Sequence, residues 1–191
     1  DGRTPGISLP SAEAQGALIQ DVCTRFDIDP AQVRYVECHG TGTAAGDPIE
    51  ARSIGSVYGK GRSGDDRVVL GSIKSNIGHL EAGAGIASLI KAVLTLQHRE
   101  AFELGNLETP NPDIPFEEWG IRLAAGPIQL AKPGEAFLVG INSFGFGGTN
   151  AHVVLRYPPD PEPAPPTAAA PTQHPPRYQP INPRTPRAHQ E

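Results

Sequence analysis

The sequence predicts an α/β fold in which helices pack against a mostly parallel sheet. Short runs rich in β-branched residues alternate along the chain with segments of helical periodicity. A helix-like segment separates each early strand-like run from the next, as the crossover connection between parallel strands requires. Loops rich in glycine, serine and threonine follow the first two of these runs. Together the observations predict a layered sheet with polar loops gathered at one edge.

The first helix is predicted to begin after Ser11, which can cap its free backbone amides. Apolar residues then recur at every fourth position, and this stripe should face the core. The stripe consists of Ala14, Leu18, Val22 and Phe26. Residues 33–38 contain valine, tyrosine and valine in a short run, which predicts the first strand.

A second helix is predicted to begin at Asp47, which can accept hydrogen bonds from free amides. Pro48 suits the first turn, and Glu50 is placed to complete a capping box. Residues 68–73 predict a second strand that is apolar enough to be buried on both faces. A third helix is predicted over about 81–98. Its inward residues should be Ile86, Leu89, Ile90, Val93 and Leu94.

The later part of the chain predicts shorter elements and then a tail. Residues 100–127 contain several prolines and are expected to form an ordered excursion rather than a core element. Weak strands are predicted at 121–123 and 128–130, and stronger ones at 137–141 and 151–156.

Composition changes after residue 157. Twelve of the 21 prolines follow that residue, with almost no aliphatic side chains among them. Such a segment cannot bury enough apolar surface to offset its ordering entropy. We therefore expect one domain over 1–157 and a disordered or polyproline-like linker or tail over 158–191.

The composition also argues against some classes of binding partner and indicates the cellular compartment. The net charge is -5 and no basic cluster occurs, which argues against nucleic acid and anionic membrane surfaces. No secretory signal and no membrane-spanning apolar run are present. The two cysteines give no disulfide framework, so a reducing cytoplasm is expected. Because the chain contains no methionine, we expect it to be a segment of a longer polypeptide.

Two histidines at strand ends are the candidate functional residues. His39 follows the first predicted strand and His79 follows the second, each within a loop of small polar residues. A neutral imidazole there can donate a hydrogen bond to a developing oxyanion or exchange a proton near neutral pH. We expect both loops to meet a third one at 142–150 and form most of one active site. Either histidine alone could instead be a buried core residue, and no ligand spacing supports a metal site.

Other motifs near these histidines have competing interpretations. Residues 40–45 match the dinucleotide fingerprint, but Asp47 would place a negative charge where the pyrophosphate binds. Cys38 is adjacent to His39, yet neighbours on a strand face opposite sides, so this pair should not meet. Lys74 is either a surface lysine or a cation that influences a nearby histidine. The glycine-rich turn within 145–148 is either a tight turn or a source of amide donors for an oxyanion.

Three segments together resemble the second half of β-ketoacyl synthases. They are residues 36–50, 71–79 and 142–152, which read VECHGTGTAAGDPIE, GSIKSNIGH and NSFGFGGTNAH. The resemblance extends in order over roughly residues 1–155. The shorter motifs ECH, HLEAGAG and NPDIPF are most similar to those of iterative, reducing polyketide synthases of fungal type.

The resemblance implies a thiolase-like fold, of which this chain would be the C-terminal half of an α-β-α-β-α layered sandwich. The complete domain would be a homodimer that elongates an acyl chain by decarboxylative Claisen condensation. Malonyl would arrive on the phosphopantetheine arm of an acyl carrier protein, and no cofactor would be bound. His39 and His79 would assist decarboxylation and stabilise the enolate, with Lys74 in support. Thr41 and Thr43 would hydrogen-bond the pantetheine arm.

The resemblance also implies a role for the glycine-rich turn, and it shows that one catalytic residue of the family is missing from this sequence. Phe146 would be a gate, and its amide, with the flanking Gly145 and Gly147, would contribute to an oxyanion hole. The nucleophilic cysteine of the family lies in the N-terminal half, and its motif is absent here. The isolated chain is therefore expected to be inactive until such a half completes it. The alternative is a non-catalytic scaffold or decoy half that binds a partner or carrier protein.

Overall fold

The computed structural model describes residues 9–157 of the chain, and the predicted tail over 158–191 lies outside them. Within the described part there are seven strands and four α-helices. The strands are β1 (Val33–Glu37), β2 (Val68–Gly71), β3 (Glu100–Ala101), β4 (Ile121–Leu123), β5 (Ile128–Gln129), β6 (Leu138–Phe144) and β7 (Asn150–Arg156). The helices are α1 (Ala12–Arg25), α2 (Gly46–Val57), α3 (Lys74–Ile77) and α4 (Ala84–His98).

Five strands form one mixed sheet in the spatial order β4-β2-β1-β6-β7. The first four are parallel to their neighbours, and β7 is antiparallel to β6 at one edge. Helices α1 and α2 cover one face of the sheet, and α4 covers the other. The predicted α/β sheet is confirmed, and β3 and β5 form a separate antiparallel pair.

The start of α1 was predicted correctly, but its buried face was not. The Ser11 hydroxyl accepts from the amide of Ala14 at 3.1 Å, as a helix cap does. The buried side chains are those of Gln15, Ile19 and Cys23, one position along from the predicted stripe, while Phe26 is 71% exposed. Both stripes repeat every four residues. The structure buries the one that includes Gln15, which hydrogen-bonds Ser53 of α2.

The predicted capping role of Asp47 and Glu50 is wrong. Helix α2 begins at Gly46, whose amide donates to the Thr43 hydroxyl at 3.1 Å. Asp47 instead accepts from the amide of Gly42 within the preceding loop. The Glu50 carboxylate is buried and points back toward the end of β1. The acids therefore organise the loop before the helix rather than the helix start.

The inward face predicted for α4 is wrong for four of its five residues, whereas Leu89 is partly buried and packs against the core as predicted. Ile86 and Ile90 are each 58% exposed, and Val93 and Leu94 are exposed as well. The side facing the sheet carries polar and small residues, including Ser88, Lys91, Ala92 and Thr95. The reason is electrostatic, because a buried acid on β1 requires a cation from this helix.

That acid is Glu37, which is fully buried and forms an ion pair with Lys91 at 2.9 Å. Glu37 also accepts hydrogen bonds from the Tyr35 hydroxyl and from the amide of Ile73. A buried charge of this kind persists when it is paired and its oxygens are hydrogen-bonded. One carboxylate therefore joins α4, β1 and the segment that follows β2.

Candidate active site

The ends of β1, β2 and β6 bring the three candidate loops together at one edge of the sheet. The ring centroids of His39 and His79 lie 5.6 Å apart, with the rings nearly perpendicular. The ring of Phe144, at the end of β6, lies 5.8 Å from that of His39. The predicted convergence of the two histidines is confirmed. Its geometric origin is that adjacent parallel strands end on the same side.

The converging loops surround a hollow of about 680 Å³. Its lining includes His39, His79, Thr41, Thr43 and the glycine-rich turn after β6. A second hollow of about 630 Å³ lies beside it and is lined by Cys38 and Lys74, among others. Thr41, Thr43 and His79 line both hollows, so the loop after β1 separates them.

Cys38 and His39 face different hollows, as the alternation of side chains along a strand predicted. Cys38 is 8% exposed, and burial raises the pKa of its thiol well above the ordinary value. Cys23 is also a free, buried thiol. Cys38 therefore remains protonated at neutral pH, and a thiolate is the reactive form of cysteine.

A single hydrogen bond fixes the tautomer of His79. The amide of Glu81 donates to His79 Nδ1 at 2.9 Å, so Nδ1 is an acceptor and carries no proton in the neutral ring. The neutral ring must then carry its proton on Nε2. Glu81 adopts a left-handed backbone conformation with φ of 50°, which is uncommon outside glycine. This local geometry gives His79 an N–H donor on the side away from the loop.

His39 is kept neutral by its surroundings. Burial lowers its pKa from 6.5 to about 4, and the charges of Lys74 and His79 act in the same direction. Within the part of the chain that the structure describes, its buried Nδ1 has no hydrogen-bond partner. Lys74 thus influences His39 electrostatically although it lines the neighbouring hollow. Near neutral pH the hollow contains two imidazoles, of which His39 is uncharged.

Thr41 and Thr43 lie at the mouth of both hollows. Their hydroxyl oxygens are 3.3 Å apart and both residues are exposed. Thr43 also accepts the amide of Gly46, which ties this loop to α2. The hydroxyls can therefore offer donors and acceptors to an extended polar group entering the site.

The glycine-rich turn is a β-hairpin connection, as predicted, and it uses some of its own amides. The amide of Gly145 donates to the Thr149 carbonyl at 2.7 Å, and that of Gly148 donates to the Gly145 carbonyl at 3.1 Å. Gly145 is therefore not available as an oxyanion donor, which corrects that part of the prediction. Gly147 adopts φ of 95°, and Phe146 between them is 83% exposed. The predicted donors that remain in this loop are the amides of Phe146 and Gly147.

Sequence reasoning missed the residues that hold the loop of His39. Glu50 accepts from the amides of His39 and Gly40 and from the side chain of Asn142. The local pattern assigns Glu50 to helix capping and places Asn142 only within the third loop. The acid at position 50 is the signal that could have found this role, because it lies 11 residues after the histidine, in the first turns of the helix that follows the loop.

The described residues were compared with the requirements of a metal site and of a membrane-spanning helix. Among residues 9–157, no cluster of three or more histidine, cysteine or acidic side chains is arranged to hold a metal ion. No helix in this same region has the length and apolar character needed to cross a membrane.

Two family models match the chain. The model described as "Beta-ketoacyl synthase, C-terminal domain" matches residues 1–108. The model described as "Ketoacyl-synthetase C-terminal extension" matches residues 110–191.

Curated relatives are polyketide synthases from bacteria and fungi. The chain is 45% identical over 165 residues to a phenolphthiocerol/phthiocerol polyketide synthase of Mycobacterium tuberculosis, covering 86% of the chain and 9% of that protein. It is 46% identical over 158 residues to the highly reducing polyketide synthase tstA of Talaromyces stipitatus, covering 82% of the chain and 6% of that protein. The chain thus spans less than a tenth of each relative.

Solved structures with the same fold are ketosynthases. The ketosynthase from module 1 of the bacillaene synthase of Bacillus amyloliquefaciens superposes with a TM-score of 0.76 at 38% identity, covering 83% of this chain and 30% of that one. The module 6 ketosynthase from Bacillus subtilis also has a TM-score of 0.76, at 37% identity, covering 83% of this chain and 29% of that one.

Burial of neutral histidines predicts a pH-dependent stability. Burial lowers the pKa of His152, on β7, from 6.5 to about 4. Below pH 6.5 the unfolded chain binds a proton that the folded chain does not, so the free energy of unfolding falls as pH falls from 6.5 to 4. His152 alone should account for a loss of about 2 to 3 kcal/mol. The measurement is urea unfolding of the full chain at pH 7 and pH 4.5.

The control is the same pair of measurements on His152→Gln, which has no titrating ring at that position. The variant should lose less stability between the two pH values than the wild type. Equal losses in the two proteins would contradict the assignment of this pH dependence to His152.

Proposed function

The chain belongs to the β-ketoacyl synthase family, and we propose that it supplies the C-terminal half of a ketosynthase that elongates an acyl chain in polyketide synthesis. It has the thiolase-like fold of that family. The single observation that supports the catalytic proposal is the pair of imidazoles, 5.6 Å apart, of which His39 is held neutral. A scaffold or decoy half would have no need for this arrangement.

The proposed chemistry begins with malonyl attached to the pantetheine arm of an acyl carrier protein. The bond between the carboxylate carbon and the α-carbon breaks, carbon dioxide leaves, and the electron pair forms a thioester enolate. The enolate oxygen is the atom on which charge develops. His79 can donate to it through Nε2–H, and His39 is placed to donate from the other side of the hollow. Neutral donors suit this role because they stabilise the enolate without protonating its carbon.

In the second proposed step, the enolate carbon attacks the carbonyl of an acyl group held as a thioester on cysteine. A carbon–carbon bond forms, and the cysteine leaves as a thiolate. The Phe146 amide is the proposed donor to the oxygen of this carbonyl, and the exposed Phe146 ring is the proposed gate. Gly147 permits the backbone conformation of the turn.

The proposal requires a nucleophile from outside this chain. Cys38 is protonated by burial and faces the neighbouring hollow, which argues against it. The N-terminal half of the ketosynthase is the proposed source of the active-site cysteine.

The exposed face of α4 supports such a partner half. Four large aliphatic side chains lie on it, namely Ile86, Ile90, Val93 and Leu94. A helix that is apolar on its outer side while its inner side packs on a sheet is normally buried on both. Ile77 and Leu80, in the segment that precedes α4, are also about half exposed. We assign this surface to the N-terminal half.

The remaining roles concern substrate delivery and assembly. Thr41 and Thr43 are the proposed hydrogen-bond partners of the pantetheine arm, which would enter through the mouth that they form. Lys74 is the proposed supporting cation, whose charge adds to the effect of burial in lowering the pKa of His39. The complete domain is proposed to be a cytoplasmic homodimer that works on carrier-bound substrates without a bound cofactor, with 158–191 as a linker or tail.

The first test concerns catalysis by a completed ketosynthase, meaning this chain combined with an N-terminal half that carries the cysteine. The chain alone should form no condensation product, whereas the completed ketosynthase should form it. His79→Ala should lower malonyl decarboxylation by about a hundredfold or more, the effect of removing an oxyanion donor. Product and released carbon dioxide are measured with malonyl carrier protein as substrate.

Cys38→Ala is the matched control because it removes a thiol next to His39 without removing a proposed catalytic group. This variant should condense at close to the wild-type rate. Unchanged decarboxylation in His79→Ala would reject the role of His79, and loss of acyl-enzyme in Cys38→Ala would reject the external nucleophile.

The second test concerns the α4 surface. Ile90→Asp places a charge in the centre of the apolar face and should prevent association with the N-terminal half. Ala17→Asp adds the same charge at an exposed position of α1 and should leave association intact. Association is measured by co-purification and size-exclusion chromatography. Equal recovery of the N-terminal half with both variants would refute the assignment of this surface.

A further inference from the structure

A line of buried polar side chains crosses the α1–α2 side of the sheet and ends at the backbone of His39. We infer that this line, from Tyr58 through His152 and Asn142 to Glu50, is a directional hydrogen-bond chain that positions His39. Within it, His152 is a positioning residue for the condensation. The inference deepens the proposed function and rests on it where it concerns catalysis.

The contacts along this chain are short and continuous. The Tyr58 hydroxyl lies 2.7 Å from His152 Nε2, and His152 Nδ1 lies 2.7 Å from Asn142 Oδ1. Asn142 Nδ2 donates to Glu50 Oε1 at 2.9 Å. Glu50 then accepts the amide of His39 at 2.7 Å and that of Gly40 at 2.9 Å. Helix α2, strand β6 and the loop after β1 therefore meet at one carboxylate, and β7 is linked to it through Asn142.

The carboxylate sets the direction of every bond in the chain. Its oxygens face three N–H donors, which an ionised acid can accept and a protonated one could not fully match. The amide nitrogen of Asn142 must then face Glu50, which leaves Oδ1 as an acceptor toward His152. His152 must donate from Nδ1 and accept at Nε2, so Tyr58 must donate its hydroxyl proton. Cys23 Sγ, 3.6 Å from the Tyr58 oxygen, can donate in the same direction.

Because its members are buried, the hydrogen-bond chain is sensitive to the loss of any one of them. Glu50, Asn142 and His152 are 5%, 1% and 7% exposed. A buried polar group that loses its partner cannot turn to water instead. Burial also lowers the pKa of His152 to about 4, so the ring is neutral and keeps one proton to donate. A neutral His152 is what the direction of the chain requires.

The hydrogen-bond chain ends at the backbone of His39 and Gly40, where the loop packs closely against the segment after β2. Gly40 adopts a left-handed conformation with φ of 47°, and a Cβ there would lie 2.8 Å from the side chain of Ser72. The two consecutive amides that Glu50 accepts lie on either side of the Cα atom of His39. Fixing both amides fixes the direction in which the His39 side chain leaves the backbone, although His152 itself lines neither hollow.

The test combines local hydrogen exchange with kinetics in the completed ketosynthase. His152→Phe retains a ring but leaves Asn142 without its donor and Tyr58 without its acceptor. It should raise amide exchange at His39 and Gly40 by about tenfold, the effect of losing a buried hydrogen bond. It should also lower kcat for malonyl decarboxylation about tenfold, with KM within about twofold of the wild type, because substrate binding is not affected. His152→Gln offers both a donor and an acceptor and should recover most of both effects.

Val139→Ala is the matched control, because Val139 is fully buried on β6 but packs on the α4 side of the sheet. This substitution destabilises the fold without changing a member of the hydrogen-bond chain. Amide exchange at His39 and Gly40 should stay near the wild-type rate, and so should kcat. Equal exchange in His152→Phe and Val139→Ala would overturn the inference. If His152→Phe does not fold, Tyr58→Phe removes the first donor instead, and unchanged exchange in that variant would overturn it too. Amide exchange tests the hydrogen-bond chain without any need for catalysis. A completed ketosynthase that is inactive would therefore contradict the proposed function and not the hydrogen-bond chain.

Discussion

The carboxylate of Glu50 is the constraint on which the candidate site depends. It is buried at the start of α2, where its charge is balanced mainly by N–H donors from the loop after β1 and from β6. Burial raises its pKa, and those donors oppose the rise. An acid in such a position is tolerated only when its partners keep their places. The same requirement therefore fixes the backbone that carries His39.

A second buried acid has a comparable effect on the other loop. Glu37 accepts the amide of Ile73, which directly precedes Lys74, and pairs with Lys91 of α4. The two acids thus anchor the loops on either side of the hollow, one from each face of the sheet. Lys91 is one of the polar residues on the inward side of α4, and the aliphatic outer side of the same helix is the surface assigned to the N-terminal half.

The sequence predicted the sheet, the order of its elements and the convergence of His39 and His79, because strand runs and the loops after them are local patterns. It failed for the buried faces of α1 and α4, since two stripes of similar regularity compete and tertiary contacts choose between them. For α4, the choice follows from the pairing of Lys91 with Glu37, which are 54 residues apart in sequence. The capping role predicted for Glu50 is wrong because a capping box and a loop anchor have the same local sequence. The hydrogen-bond chain through His152 depends on the register of β6 and β7, which only the folded structure provides.

The central claim is that two imidazoles meet as hydrogen-bond donors, with His79 protonated on Nε2 and His39 uncharged. Nitrogen-15 NMR of the histidine rings in the completed ketosynthase tests it most directly, because it reports both the tautomer and the titration of each ring. The account predicts that at pH 7 the proton of His79 is on Nε2, and that His39 has a pKa of about 4. A His79 ring protonated on Nδ1, or a His39 ring that titrates near 6.5, would contradict it.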